Sequence, residues 1–200
     1  LLLRLQAARG KASKLGKEYL FELKLLMTCH GNTSEDNVYT NCNKTLHGCD
    51  RKDVIVARGA VKPAIASLID ASYFHGKDGL GDICHTAIKY TTTAVTDERL
   101  PPSSISDENC TITGLTNLTL NKLTSAQYEL LKLLSFEGAS SSGITLVTLG
   151  PLTNLASIID IAAHAHTSDS EIITHLLSHI NHLVIMGGSA NGLGNVTRTA

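Results

Sequence analysis

The sequence has no tryptophan, and five tyrosines with three phenylalanines bring its aromatics to only 4% of 200 residues. That scarcity leaves little for base-stacking platforms or for aromatic sugar-binding clefts. It also lacks an excess of positive charge, since 17 Lys and Arg face 18 Asp and Glu, for a net charge near −1. Gripping a phosphate backbone takes a basic surface, so nucleic acid is excluded as the main partner. No run approaches the ~20 apolar residues of a membrane span. The apolar opening LLLRLQAA is interrupted by Arg4 and Gln6, unlike the uncharged core of a secretion signal. The five cysteines (Cys29, Cys42, Cys49, Cys84, Cys110) are odd in number and form no C-x-x-C, which argues against a structural zinc site. Free thiols in a reducing cytoplasm are the expectation, although sequons occur at Asn32, Asn43, Asn109, Asn117 and Asn195. Two further absences concern the start: residues 1–22 hold no aspartate, and the first methionine is Met27. A processed chain, or a piece of a longer one, is expected from that.

What is present is an ordinary globular composition, 42% hydrophobic and 18% charged, at a length that suits one domain. Short apolar runs alternate with helical patterns. Residues 22–29 (ELKLLMTC) read as a strand that ends in the loop His30–Ser34. A helix is expected from about Glu35 to Leu46, capped by Ser34 or Thr33. DVIVA (Asp53–Ala57) is a second strand, and Pro63 is expected to open another helical stretch. Residues 91–121, rich in Ser, Thr, Pro and Asn, are expected to wander over the surface. Beyond them lie a helix over Ser125–Leu134, a small-residue turn over Gly138–Gly143 and a strand, Ile144–Leu149, apolar enough to be buried on both faces. Helices at about Thr153–Ala163 and Ser170–Ile180, with a strand at His182–Met186, complete the pattern. Strands alternating with helices imply an α/β fold with a largely parallel, Rossmann-like central sheet, whose ligands sit at the carboxyl ends of the strands.

Four loops could carry chemistry. His30-Gly31-Asn32 offers an amide to a ligand hydroxyl, though Asn after Gly is also ordinary turn chemistry. HGKDGLGD (His75–Asp82) sets three glycines beside a histidine and two carboxylates; Asp78 and Asp82 without a third oxygen-rich neighbour make a weak cation site, and a solvated loop is the simpler reading. LGPLTN (Leu149–Asn154) combines a turn with a helix start for which Thr153 could be the cap. The stretch MGGSANGLGN (Met186–Asn195) lacks the G-x-G-x-x-G spacing of a dinucleotide loop. His175, His179 and His182 stand at i, i+4 and i+7, but no H-E-x-x-H accompanies them. No G-x-S-x-G nucleophile elbow exists either, since Gly188-Ser189-Ala190 does not complete one.

Taken jointly, the loops resemble the inosine-uridine-preferring nucleoside hydrolase family. The matching pieces are HGNTSEDNVYTN (His30–Asn41), VIVARGAVKPA (Val54–Ala64), HGKDGLGD (His75–Asp82), ITLVTLGPLTNLA (Ile144–Ala156) and HLVIMGGSANGLGNVT (His182–Thr197), in the family's order and spacing. The resemblance implies hydrolysis of the N-glycosidic bond of purine or pyrimidine ribonucleosides to ribose and free base. It implies a calcium ion that grips ribose hydroxyls and a water, and an aspartate that deprotonates that water as oxocarbenium character develops. Residue by residue, Asn32 would hold the ribose 3′ hydroxyl, Asn195 the 5′ hydroxyl, and Met186 would pack under the sugar. Leu149 would lend its backbone carbonyl to calcium, and His75 would orient the base or nucleoside. A homo-oligomer, dimer or tetramer, is the family expectation.

The resemblance also marks gaps. The family's acidic cluster D-x-D-x-x-x-D-D, which supplies the general base and most calcium ligands, should finish near the start of this chain, where Glu18 and Glu22 do not make the pattern. A Glu and an Asn after the MGG…GN loop, and a distal His-Asp pair, have no counterpart before Ala200. Residues 1–200 are therefore expected to form a single nucleoside hydrolase-like domain, incomplete at both ends and inactive alone. The competing expectation is a degenerate relative that binds a ribosyl ligand or a protein partner without chemistry.

Overall fold

A computed structural model describes residues 22–82, 112–137 and 143–187. The described elements run β1 (Leu25–Met27), α1 (Glu35–Gly48), β2 (Ile55–Ala57), α2 (Ser72–His75), α3 (Asn117–Leu120), α4 (Ser125–Glu137), β3 (Ile144–Thr148), α5 (Thr153–His164), α6 (Thr167–Leu177) and β4 (Ile180–Ile185). Both strand pairs are parallel, β1 with β2 and β3 with β4. Each pair is joined through helix, which supplies the long crossover that parallel pairing requires. This is the α/β architecture that the alternating pattern implies.

The core lies under the second half. Leu130, Leu131 and Leu134 of α4 meet Leu146 of β3, Ile158 and Ile161 of α5, and Ile173 and Leu176 of α6, all buried. Leu25 and Met27 of β1 pack against the same cluster, so α4 ties both strand pairs into one body. Beneath the start of α3, the buried Asp169 carboxylate accepts bonds from the Thr116 amide at 3.2 Å and hydroxyl at 2.5 Å, and from the Thr119 hydroxyl. Those hydroxyl and amide donors hold its pKa below the usual carboxylate value.

Several elements depart from the expected boundaries. Helix α1 begins where expected, with Ser34 accepting the Asn37 amide at 3.3 Å. No helix forms after Pro63: the next is the single turn α2, because Ile65, Leu68 and Ile69 are exposed and give a helix no face to bury. Strand β3 is not buried on both faces; Leu146 is inside while Val147 is 42% exposed. Residues 112–121 do more than wander, since Ile112, Leu115 and Leu120 enter the core. Helix α6 starts three residues earlier than expected, at Thr167, and β4 starts at Ile180. Residues 91–111 and most of the Gly138–Gly143 turn lie outside the described residues. Cys29, Cys42 and Cys49 are free thiols. Among the described residues no helix is long and apolar enough to cross a membrane.

Candidate active site

The carboxyl ends of the strands come together. Thr28, the first residue after β1, donates its amide to Ala57 of β2 at 3.0 Å, and two residues on the His30 amide reaches Ala60 at 2.9 Å. Past β3, Pro151 lies against the same loop: its ring would be 3.3 Å from a Cβ on Gly31, and its carbonyl accepts the Cys29 thiol at 3.9 Å. Gly31 has φ +152°, a conformation that suits glycine, and so it turns the chain toward Asn32 under the proline. Where β4 ends, the Met186 amide bonds Thr148 at 2.9 Å, placing Met186 beside the exit of β3. Three expected site residues, Asn32, Leu149 and Met186, are therefore exposed on loops at one edge of the sheets, Leu149 and Met186 at 62% and 64%.

Two polar side chains weld these loops. Buried Asn154, in the first turn of α5, donates from Nδ2 to the Thr28 carbonyl at 3.0 Å and accepts the Ala60 amide on Oδ1 at 2.8 Å. Its own carbonyl accepts Gln127 Nε2 at 3.2 Å. The fit requires glycine at 59, where an added Cβ would stand 2.2 Å from the Thr28 carbonyl oxygen and 2.4 Å from Asn154 Oδ1. Thr153 does not cap α5; Leu152 holds that position without a side-chain bond, and the Thr153 hydroxyl instead meets His30 Nε2 at 3.2 Å. Burial lowers the pKa of His30, so its ring is neutral near pH 7. Burial, followed by the negative charge of Glu35, raises the pKa of Cys29 and Cys42, which keeps both as thiols and poor nucleophiles.

The second glycine loop docks on helix α1. Asn37 Nδ2 donates to the Lys77 carbonyl at 2.8 Å and Asn41 Nδ2 to the Asp78 carbonyl at 2.7 Å, while the buried Thr33 hydroxyl also reaches Lys77 at 2.9 Å. His75 is half-buried, edge-on to Phe74 at 4.9 Å. Its helix is tied to the Asn32 loop by the Ala71 amide, which donates to the Gly31 carbonyl at 3.2 Å. Asp78 Oδ1 accepts the amides of Leu80 and Asp82 at 2.8 and 2.9 Å, and Asp82 Oδ1 that of Asp78 at 3.2 Å, an aspartate-stabilised turn. His175 and His179 pack edge to face at 4.9 Å. Asn195 lies outside the described residues.

Calcium takes about six to eight oxygen ligands. Among the described residues no three His, Cys, Asp or Glu gather as a metal site. With the Leu149 carbonyl as their one expected donor, they do not make a calcium site on their own.

Residues 14–200 match the model of the inosine-uridine preferring nucleoside hydrolases. The chain belongs to that family. Among similar nucleoside hydrolases, the pyrimidine-specific ribonucleoside hydrolase RihA of Salmonella arizonae is 30% identical over 179 residues, which are 90% of this chain and 43% of that protein. RihA of Escherichia coli O9:H4 is also 30% identical over the same shares. The chain thus spans less than half the length of these curated hydrolases.

Sequence reasoning missed one constellation in this chain. Glu35 is buried; its Oε1 accepts the Thr28 hydroxyl and its Oε2 the Arg58 guanidinium at 2.8 Å. Arg58 also bonds Asp36 at 2.7 Å and lies 4.1 Å from the Tyr39 ring centroid. A charged residue directly after the apolar run VIVA was the signal available.

Proposed function

We propose that the protein hydrolyses the N-glycosidic bond of ribonucleosides, releasing ribose and free base, and that pyrimidine ribonucleosides are its first candidates. The reading is supported by one observation above all: the loops of Asn32, Leu149 and Met186 converge at the carboxyl edge of parallel strands, where an α/β fold takes its ligands. The Asn32 amide binds the ribose 3′ hydroxyl, Met186 lies under the sugar, and His75 orients the nucleoside. Asn195 takes the 5′ hydroxyl. Leu149 would offer one carbonyl to the calcium ion that the family resemblance implies. As the bond to the base breaks, positive charge grows on the ribose, and groups held rigidly beforehand stabilise it best.

Exposed Asn32 and Met186 would serve binding as well as chemistry, which admits a second reading, a family member that binds a ribosyl ligand without chemistry. Assays of the full gene product with uridine, cytidine and inosine, following free base and reducing sugar, separate the two. Base release that falls about tenfold to a hundredfold in kcat/KM on Asn32→Ala is expected, the cost of a lost hydrogen bond to substrate. Nucleoside binding without release would select the second reading, and neither binding nor release would overturn both.

A further inference from the structure

We infer that the Glu35–Arg58 ion pair is the positioning device of the sugar-binding loop, an inference that rests on the ribonucleoside reading of Asn32. Glu35 opens helix α1, yet its carboxylate turns back across the whole Asn32 loop to Thr28, seven residues earlier. Thr28 is the loop's fixed point. Its hydroxyl bonds Glu35 and, at 3.2 Å, the Ala57 carbonyl; its amide bonds Ala57 at 3.0 Å; its own carbonyl takes Asn154 at 3.0 Å. The loop from Cys29 to Ser34 is thus closed at its base by the helix that follows it. At its far end, Thr33 accepts Asn37 Nδ2 at 2.8 Å.

A carboxylate this deeply buried needs a partner, and Arg58 Nη1 provides it at 2.8 Å. Arg58 is itself held from three sides. Asp36 accepts a bond at 2.7 Å, the Tyr39 face lies 4.1 Å from the guanidinium carbon, and the Arg58 carbonyl takes the Ala126 amide at 2.7 Å. Partial burial works against its charge, but the bond to Asp36 and the charges of Glu35 and Asp36 outweigh it and raise its pKa. Nη1 alone serves both carboxylates while the guanidinium carbon lies over the Tyr39 ring; a lysine ammonium carries the charge but lacks the planar group that covers the ring. The pair therefore joins the end of β2 to the start of α1 and, through Thr28, sets where the Asn32 amide stands. Neither residue is expected to touch the sugar.

Displacing a substrate-holding loop weakens ground state and transition state alike, so the signature is a raised KM with kcat preserved. Glu35→Gln keeps an acceptor for Thr28 and discards the charge; Arg58→Lys keeps the charge and discards the planar guanidinium over Tyr39. In the full gene product we expect both to raise the KM for the preferred nucleoside about tenfold, with kcat within twofold of the parent. Amide hydrogen exchange across Cys29–Thr33 should quicken about tenfold while β3 and β4 keep their rates. Unchanged exchange at the loop overturns the inference, and so does faster loop exchange with an unaltered KM. Uniformly faster exchange through β3 and β4 also overturns it, because the pair would then be a general stabiliser. If either variant fails to fold, the other carries both measurements. A parent protein without turnover defeats the ribonucleoside reading instead, and the exchange comparison still decides whether this pair holds the loop.

Discussion

The two strand pairs share one apolar cluster but differ in what else is buried beside them. Around β3 and β4 the buried surface is mostly hydrocarbon: leucines of α4 and isoleucines of α5 and α6 close on Leu146, with the Asp169 carboxylate set apart beneath α3. Around β1 and β2, where each strand has only three residues, the buried groups include Thr28, His30, Thr33 and Glu35, with Asn154 reaching in from α5. Apolar contact supplies stability without fixing direction. Hydrogen bonds supply less net stability, yet they are directional, so they specify where a loop must stand. The functional loops spring from the specified side and lean on the stable one.

The sharpest way to break that contrast is to remove hydrocarbon. Leu131→Ala, at a fully buried position, should cost about 2–5 kcal/mol and lower the melting midpoint by roughly 10 °C. A loss below 1 kcal/mol would mean that the apolar half is not the stabilising half. Next in size comes Asn154→Ala, which leaves the Thr28 carbonyl and the Ala60 amide without their partner and should cost about 2 kcal/mol. Its distinctive consequence is local: chemical shifts of residues 28–32 and 58–60 should move while those of α6 stay. Shifts spread evenly over the molecule would contradict the division.

The smallest effect belongs to His30. Its folded pKa lies below the ordinary histidine value near 6.5, so the unfolded chain takes up a proton more readily than the folded one. Stability contributed by the neutral ring is present above about pH 6.5 and declines as pH falls from there toward the folded pKa. Urea melts at pH 7.5 and 5.5 should show a loss that His30→Gln reduces. An identical pH dependence in the variant would remove His30 from the account.

Local features were readable from the chain and long-range ones were not. Ser34 as a cap, the apolar run before each loop and the parallel alternation all follow from neighbours within a few residues. Thr153 carried the same cap signal, but the fold gives its hydroxyl to His30, 123 residues away. Asn154 read as a helix start, whereas its side chain spans separations of 94 and 126 residues, which no periodicity encodes. Pro63 promised a helix that local propensity alone could not supply without a surface to cover. The Glu35–Arg58 pair escaped notice because a glutamate in a first helical turn is ordinary end chemistry until its burial is known.

Gly59 carries a consequence for how such a chain can vary. It is expected to touch no ligand, yet a methyl group there would overlap both the Thr28 carbonyl and the Asn154 amide. Alanine would push α5 and the end of β1 apart together. Random drift at this codon is therefore closed off by main chain and a buried amide, and an inherited lesion there would read as loss of activity although its origin is a collision of backbone.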